Sequence, residues 1–193
     1  MRKTILSRRF FNRPTLRVAK DLLGKFLVRK VGPSPHKATK GKPTKTIAVQ
    51  ITEVEAYDGP RDRASHASRG HTPRNAPMWD VAGHFYVYFT YGMHWMLNVV
   101  TGPKGYPAAV LLRSGKLKVE SEKWIEINGP ARLTKYLKID KRFNGKSARP
   151  ESSLWFEDRG SRTGRSKIIA SPRIGVDYAG PWAKKPYNFR LKK

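Results

Sequence analysis

The chain contains no cysteine, which removes disulfides, thiolate nucleophiles, Cys-ligated zinc and iron–sulfur clusters from consideration. Acidic residues are scarce: 14 Asp and Glu stand against 40 Lys and Arg in 193 residues, a formal charge of +26. Such an excess repels cationic partners and draws in polyanions, whether nucleic acid, anionic membrane or phosphate-rich substrate. Nowhere do about 18 apolar residues run together, so no transmembrane helix is expected. The Arg-rich first twenty residues lack the apolar stretch of a secretory signal, although composition alone leaves a mitochondrial-type presequence open. A phosphate-binding P-loop and a G-x-G-x-x-G fingerprint are also missing, and the histidines lack the close pairing that zinc requires. What is present, 38% hydrophobic and 11% aromatic residues, suffices for a folded core, and the length fits a single domain over 1–193.

The charge is unevenly spread. Residues 1–46 carry 14 basic and 1 acidic side chains, residues 47–100 carry 4 and 5, and residues 101–193 carry 22 and 8. A near-neutral, aromatic centre thus lies between two basic flanks. That contrast favours an electrostatic frame around a specialised site over a uniformly lysine-rich surface.

Hydrophobic periodicity organises the chain. Leu16, Ala19, Leu22 and Leu23 recur at helical spacing after Thr15, a candidate N-cap, and before Gly24. Lys25 to Val31 reads as a strand, and residues 32–46 as a mobile basic loop. Ile47 to Tyr57 alternates at period two, which would put Val49, Ile51, Glu53, Glu55 and Tyr57 on one face. Phe85 to Phe89 and His94 to Val100, joined by a turn over 90–93, read as a hairpin. Ala108 to Leu112 is a short buried strand ending at Arg113. Asn128-Gly129-Pro130 opens a helix. Residues 144–167 are polar and rich in Gly, Ser and Arg and read mostly as loop. Edge strands are expected at 168–170 and within 182–191, with a basic tail over 190–193. Mostly antiparallel strands with a few helices define an α+β domain.

Several residues stand out chemically. Glu53 and Glu55 share the more apolar face of their strand, where burial is costly unless they are paired or used. A solvated or salt-bridged pair at a sheet edge is the bland alternative. Tyr57 and His66 follow nearby, and a carboxylate beside flat rings suits a base bound by stacking. Tyr86 and Tyr88 share a strand face, whereas Tyr91 falls at the turn, where an exposed ring in a basic protein is suited to stack on a base. Arg74-Asn75 suits either a turn or a phosphate contact. Asn98 is an inward-facing polar residue with His94, Met96 and Val100, and needs a partner. The residues themselves thus point to a carboxylate-and-aromatic pocket on a nucleic-acid-binding domain, without naming a reaction.

The runs TEVEAYDGPRDRASHASRGHTPRNAPM, YVYFTYGMHWMLNVVT, AAVLLR and NGPARL occur in that order, with LSRRFFNRPTLRVAKDLLGKFLVRK before them and PRIGVDYAGPWAKKPYNF after. Together they resemble the alkyladenine family of 3-methyladenine DNA glycosylases over nearly the whole chain, which places the Arg-rich start inside the domain. The resemblance implies a curved antiparallel sheet like the C-terminal barrel of a formyltransferase, with an intercalating hairpin. It implies Tyr91 as the wedge, with Met93 beside it, and Tyr57, His66 and Tyr88 around the flipped base. Glu55 would be the general base, Arg113 would hold the water or a nearby phosphate, and Asn98 would reject the 2-amino group of guanine. The expected substrate is duplex DNA containing an alkylated purine, hypoxanthine or ethenoadenine. Cleavage would be monofunctional, by a monomer without metal or cofactor, away from any membrane and in the cytoplasm. Two rivals are a nuclease holding a metal on Glu53, Glu55 and Asp62, and a binding module that has lost the reaction.

Overall fold

The computed structural model describes residues 3–32, 44–119, 122–161, 164 and 167–192. Thirteen elements are used below: β1 (Thr4–Ile5), α1 (Arg8–Phe11), α2 (Thr15–Leu22), β2 (Phe26–Val31), β3 (Lys45–Asp58), β4 (Phe85–Thr90), β5 (His94–Val100), β6 (Ala108–Lys118), β7 (Trp124–Ile127), α3 (Pro130–Tyr136), β8 (Leu154–Asp158), β9 (Ile168–Ser171) and β10 (Asn188–Leu191). The strands form one sheet in the order β1-β8-β2-β3-β6-β5-β4, with β7 on β6 and β10 bonded to both β3 and β9. Every pairing between these strands is antiparallel. The architecture is a single-domain α+β fold with an open sheet.

The core lies where α2 covers the sheet. Val18, Ala19 and Leu22 of α2 pack with Leu27, Val54, Phe85, Leu97, Leu112 and Phe156 of the strands. Thr15 is the first helical residue rather than the cap, which is Pro14; its hydroxyl instead donates to Asp58 at 2.8 Å, tying α2 to the end of β3. The long β3 strand is the scaffold of the molecule. Its first half pairs with β2, its second half with β10, and β6 runs along the other side.

Strict alternation along β3 fails at one point, and the failure places the site. Ile51 faces Gly115 and Glu53 faces Ser114, so Thr52 is an extra residue on β3. Val54 then faces Leu112, which leaves Arg113 extra on β6. Bulges reverse which residues point to which face. Val49 and Ile51 before the irregularity, and Val54 and Ala56 after it, all enter the same core. Glu53, Glu55 and Tyr57 are thereby turned off the apolar face on which simple period-two reading would put them.

Three further expectations are corrected. Residues 154–158 are not loop: Leu154 and Phe156 of β8 are fully buried between β1 and β2. Arg190 and Leu191, which fall both in the edge strand expected within 182–191 and in the expected 190–193 tail, lie in β10, so the strand reading holds for them and the tail reading does not. The expected basic loop has strand residues at Lys45 and Thr46, and its positions 33–43 lie outside the described residues. The hairpin has the expected strands β4 and β5, closed by a Met93 amide donating to the Thr90 carbonyl at 3.1 Å. Tyr91 and Gly92 take φ of 52° and 63°, the left-handed pair of a type I′ turn.

Candidate active site

The two bulges aim Glu55 and Arg113 into a cavity of about 300 Å³, whose wall also includes Tyr57, His66, Tyr86, Tyr88, Tyr91, Asn98 and Tyr178. The structure therefore brings together every expected site residue except Met93, which stands at the hairpin tip beside Tyr91, 68% exposed. Tyr91 is 80% exposed, yet part of it reaches the cavity rim.

Glu55 is fully buried, and a buried carboxylate must be matched by donors. Its Oε1 accepts from the Ile174 amide at 2.8 Å and from Asn188 Nδ2 at 3.2 Å, and lies 3.3 Å from Arg113 Nη1. Its Oε2 accepts from the Tyr57 hydroxyl at 3.0 Å. Asn188 is the direct cross-strand neighbour of Glu55 on β10, and the same Nδ2 reaches Glu53 at 2.9 Å. Glu53 also accepts from Ser114 at 2.6 Å and from Arg113 Nε at 3.3 Å. Burial pushes the Glu53 carboxyl up, but the bonds from Asn188 and Ser114 and the Arg113 charge outweigh it and hold it below its ordinary value. Arg113 and Asn188 thus bridge two carboxylates that would otherwise repel.

The remaining wall is aromatic and neutral. Burial, then the nearby Arg74 and Arg69 charges, pushes His66 down to about 4, so its ring is uncharged at neutral pH. Its Nδ1 is hydrogen-bonded to the Tyr86 hydroxyl at 2.8 Å. Burial and then the Glu55 charge push Tyr88 up to about 12 and Tyr57 well above its ordinary value; burial likewise raises Tyr86. His66 and Tyr88 meet edge to face at 4.6 Å between centroids, so they form one continuous wall. Asn98 donates to the Tyr86 carbonyl at 3.0 Å, which supplies the partner its buried position requires. Asn75 is a turn residue: it donates to the His66 and Gly70 carbonyls at 3.1 and 2.8 Å and fixes the loop carrying His66. Arg74 braces the hairpin, donating to the Phe89 carbonyl at 2.9 Å with its guanidinium over the Tyr88 ring.

Asp62 does not join the two glutamates. Both of its oxygens are taken by Arg173 and by the Asp58 and Ala64 amides, in a fully buried ion pair. Among the described residues no group of three or more His, Cys, Asp or Glu is placed to hold a metal ion. The residues that periodicity missed are Asn188, Arg173 and the Ile174 amide. All three lie in the C-terminal run PRIGVDYAGPWAKKPYNF, which carries part of the family resemblance but has no pattern of its own.

Chemically, the arrangement is an anchored carboxylate under a neutral aromatic cavity of single-ring to purine scale, framed by a basic surface. Comparison with known proteins gives that arrangement a class. The family model of methylpurine-DNA glycosylase matches residues 9–193. Three similar proteins all bear the name "Putative 3-methyladenine DNA glycosylase". One from Methanocella arvoryzae is 43% identical, covering 96% of this chain and 91% of its own. One from Psychrobacter cryohalolentis is 41% identical, covering 89% and 84%. One from Streptomyces avermitilis is 41% identical, covering 93% and 86%. The class is DNA glycosylase, a hydrolase of N-glycosyl bonds. The chain belongs to the methylpurine-DNA glycosylase family.

Proposed function

We propose that this chain removes damaged purines from duplex DNA by base flipping and metal-free hydrolysis, and leaves an abasic site. The observation that carries this reading is Glu55: fully buried, held by three donors and Arg113, and opening onto a cavity lined by tyrosines and a histidine. A carboxylate fixed in that way is suited to accept the proton of a water that attacks C1′ of the deoxyribose as the purine leaves. Arg113 steadies the carboxylate and faces the same water or an adjacent phosphate.

Tyr91 is the residue that wedges into the duplex from the hairpin tip, with Met93 against the other side of the gap. Its exposure and left-handed backbone support that role, because strained, exposed aromatics persist where function needs them. Extrusion of the nucleotide costs a few kcal/mol, less for damaged or mispaired bases, so flipping itself selects. The flipped ring stacks against Tyr57 and the His66–Tyr88 wall, the His66 amide donates to its edge, and Asn98 fills the room that the 2-amino group of guanine would need. Alkylated purines, hypoxanthine and ethenoadenine are the proposed substrates. The reaction uses no cofactor and forms no Schiff base, so strand breakage follows only on alkali.

The test is a single-turnover assay in chelator on duplexes holding one hypoxanthine, 3-methyladenine or ethenoadenine, with alkali added afterwards. An alkali-dependent break in wild type, reduced at least about 1,000-fold in Glu55→Gln with lesion binding retained, is the expected result. Binding with silence on all three lesions would mean a binding module. Chelator-sensitive breaks formed without alkali would mean a nuclease.

A further inference from the structure

Arg173 and Asp62 form an ion pair with both side chains fully buried, 111 residues apart in the chain. Its contacts reach each wall of the site. Arg173 donates to the Ala56 carbonyl at 2.9 Å, between Glu55 and Tyr57 on β3, and to the Trp182 carbonyl at 3.2 Å. Its guanidinium lies over the rings of Tyr57 at 4.8 Å and Tyr187 at 5.3 Å. The next residue is Ile174, whose amide donates to Glu55 at 2.8 Å, and Gly175, Val176 and Tyr178 beyond it line the cavity. Asp62, for its part, accepts from the Asp58 and Ala64 amides at 3.1 Å each, and its carbonyl accepts from the Ser65 amide at 2.8 Å. Those bonds set the turn that leads to His66.

One guanidinium therefore ties together the strand of the carboxylate, the turn of the histidine and the C-terminal segment that supplies the amide. Buried ion pairs are often no more stabilising than apolar residues of the same volume, and their best-attested use is to fix register. We propose that Arg173 and Asp62 are a positioning pair that holds the Ile174 amide against Glu55 and the 174–178 segment against the cavity. The pair touches neither base nor water; it acts through the geometry of Glu55 and Tyr57. This rests on the assignment of Glu55 as the base.

Two variants separate positioning from stability. Arg173→Lys keeps the charge and loses the planar fork, which no ammonium reproduces. The double variant Asp62→Leu/Arg173→Met removes both charges together, so no unpaired charge stays buried, although the Asp58 and Ala64 amides and the Ala56 and Trp182 carbonyls lose these partners. In both, the single-turnover rate at saturating enzyme is expected to fall about 10- to 100-fold while the Kd for lesion duplex changes less than about 3-fold, because small misplacement of a reacting group costs that much. Leu22→Ala, a core change in α2 at a side chain that takes part in none of these hydrogen bonds, serves as a control of comparable Tm loss and should keep the wild-type rate. A wild-type rate in either folded variant, or parallel losses in rate and Kd, would overturn the proposal. If neither variant folds, hydrogen exchange of the Ile174 amide in the wild-type protein decides: protection close to the global level supports the clamp, and exchange through fast local opening refutes it. If wild type excises and Glu55→Gln does not, failure of these variants to slow excision condemns the pair alone; if Glu55→Gln still excises, the base assignment itself has failed.

Discussion

The floor of the cavity and the tip of the hairpin are built on opposite terms. At the floor, Glu55 is completely buried, and its oxygens are met by Tyr57, Ile174, Asn188 and Arg113, which come from three strands and a distant loop. At the tip, Tyr91 is 80% exposed, sits at φ 52°, and has open space around its neighbour Gly92. The floor is over-determined, whereas the tip has the Met93–Thr90 turn hydrogen bond and, one residue back on β4, the Arg74 brace on Phe89. A group that must hold a proton acceptor still has to be fixed before the substrate arrives, because reorganising it during reaction costs rate. A group that must enter a duplex has to stand clear of its own protein. The difference predicts that damage to the floor appears in rate and stability together, whereas damage to the tip appears in capture of DNA alone.

The hardest way to break the floor is Asn188→Asp. The change is nearly isosteric but removes the donor shared by Glu53 and Glu55 and adds a third carboxylate facing a single Arg113. One of the three must then take up a proton, and the surviving acceptors lose a bond. Excision at neutral pH should fall about 100-fold. Stability should fall by about 1–3 kcal/mol, read as a Tm lower by roughly 2–10 °C for a chain of this size. A variant with normal Tm and normal rate would show that the shared amide holds nothing in place.

At the tip, Tyr91→Asn should produce the opposite signature. Asn tolerates the left-handed conformation that a bulky ring resists. Tm should therefore stay unchanged or rise slightly, while affinity for a lesion duplex falls about 10-fold, within the 1–3 kcal/mol that a stacked ring contributes. Competition binding against undamaged duplex measures the loss. A lower Tm would mean that the ring packs on its own protein and that the contrast between the two regions is false.

How much of this was legible in the sequence follows from the same contrast. The tip is local: alternating aromatics, a Gly and two strands separated by the three residues 91–93 specify it, and β4, β5 and the turn are where the pattern puts them. α2 is local as well, missed only at its cap, because the Thr15 hydroxyl goes to Asp58 instead. The floor is not local. Its register depends on bulges at Thr52 and Arg113 that no periodicity announces, and the alternation in the sequence runs unbroken through Glu53. Asn188 and Arg173 reach Glu55 and Asp62 across 133 and 111 residues, a pairing that spacing along the chain cannot encode. β8 was hidden for a simpler reason: five strand residues lie among Gly, Ser and Arg, whose composition dominates the segment.

The smallest expected effect concerns acid, and it distinguishes two parts of the site wall. Glu53 is held below its ordinary 4.5 in the folded protein, against its own burial, by Asn188, Ser114 and Arg113. The stability this contributes is present above pH 4.5 and is lost as pH falls below it, because the unfolded chain takes up the proton first. His66 is pushed from 6.5 to about 4, chiefly by burial. The unfolded chain again binds the proton first, so stability declines as pH drops from 6.5 toward 4. Wild type should thus lose Tm in two stages, the first set by the histidine and the second by the carboxylate. Glu53→Gln should flatten only the lower stage and slow excision at neutral pH by less than about 10-fold, since Glu55 keeps its own donors. His66→Gln should flatten only the upper stage. Tm profiles between pH 3 and 8 for the three proteins test both signs. If the Glu53→Gln profile matches wild type below pH 4.5, the Arg113–Asn188 bridge does not hold the second carboxylate ionised, and the over-determined floor reduces to Glu55 alone.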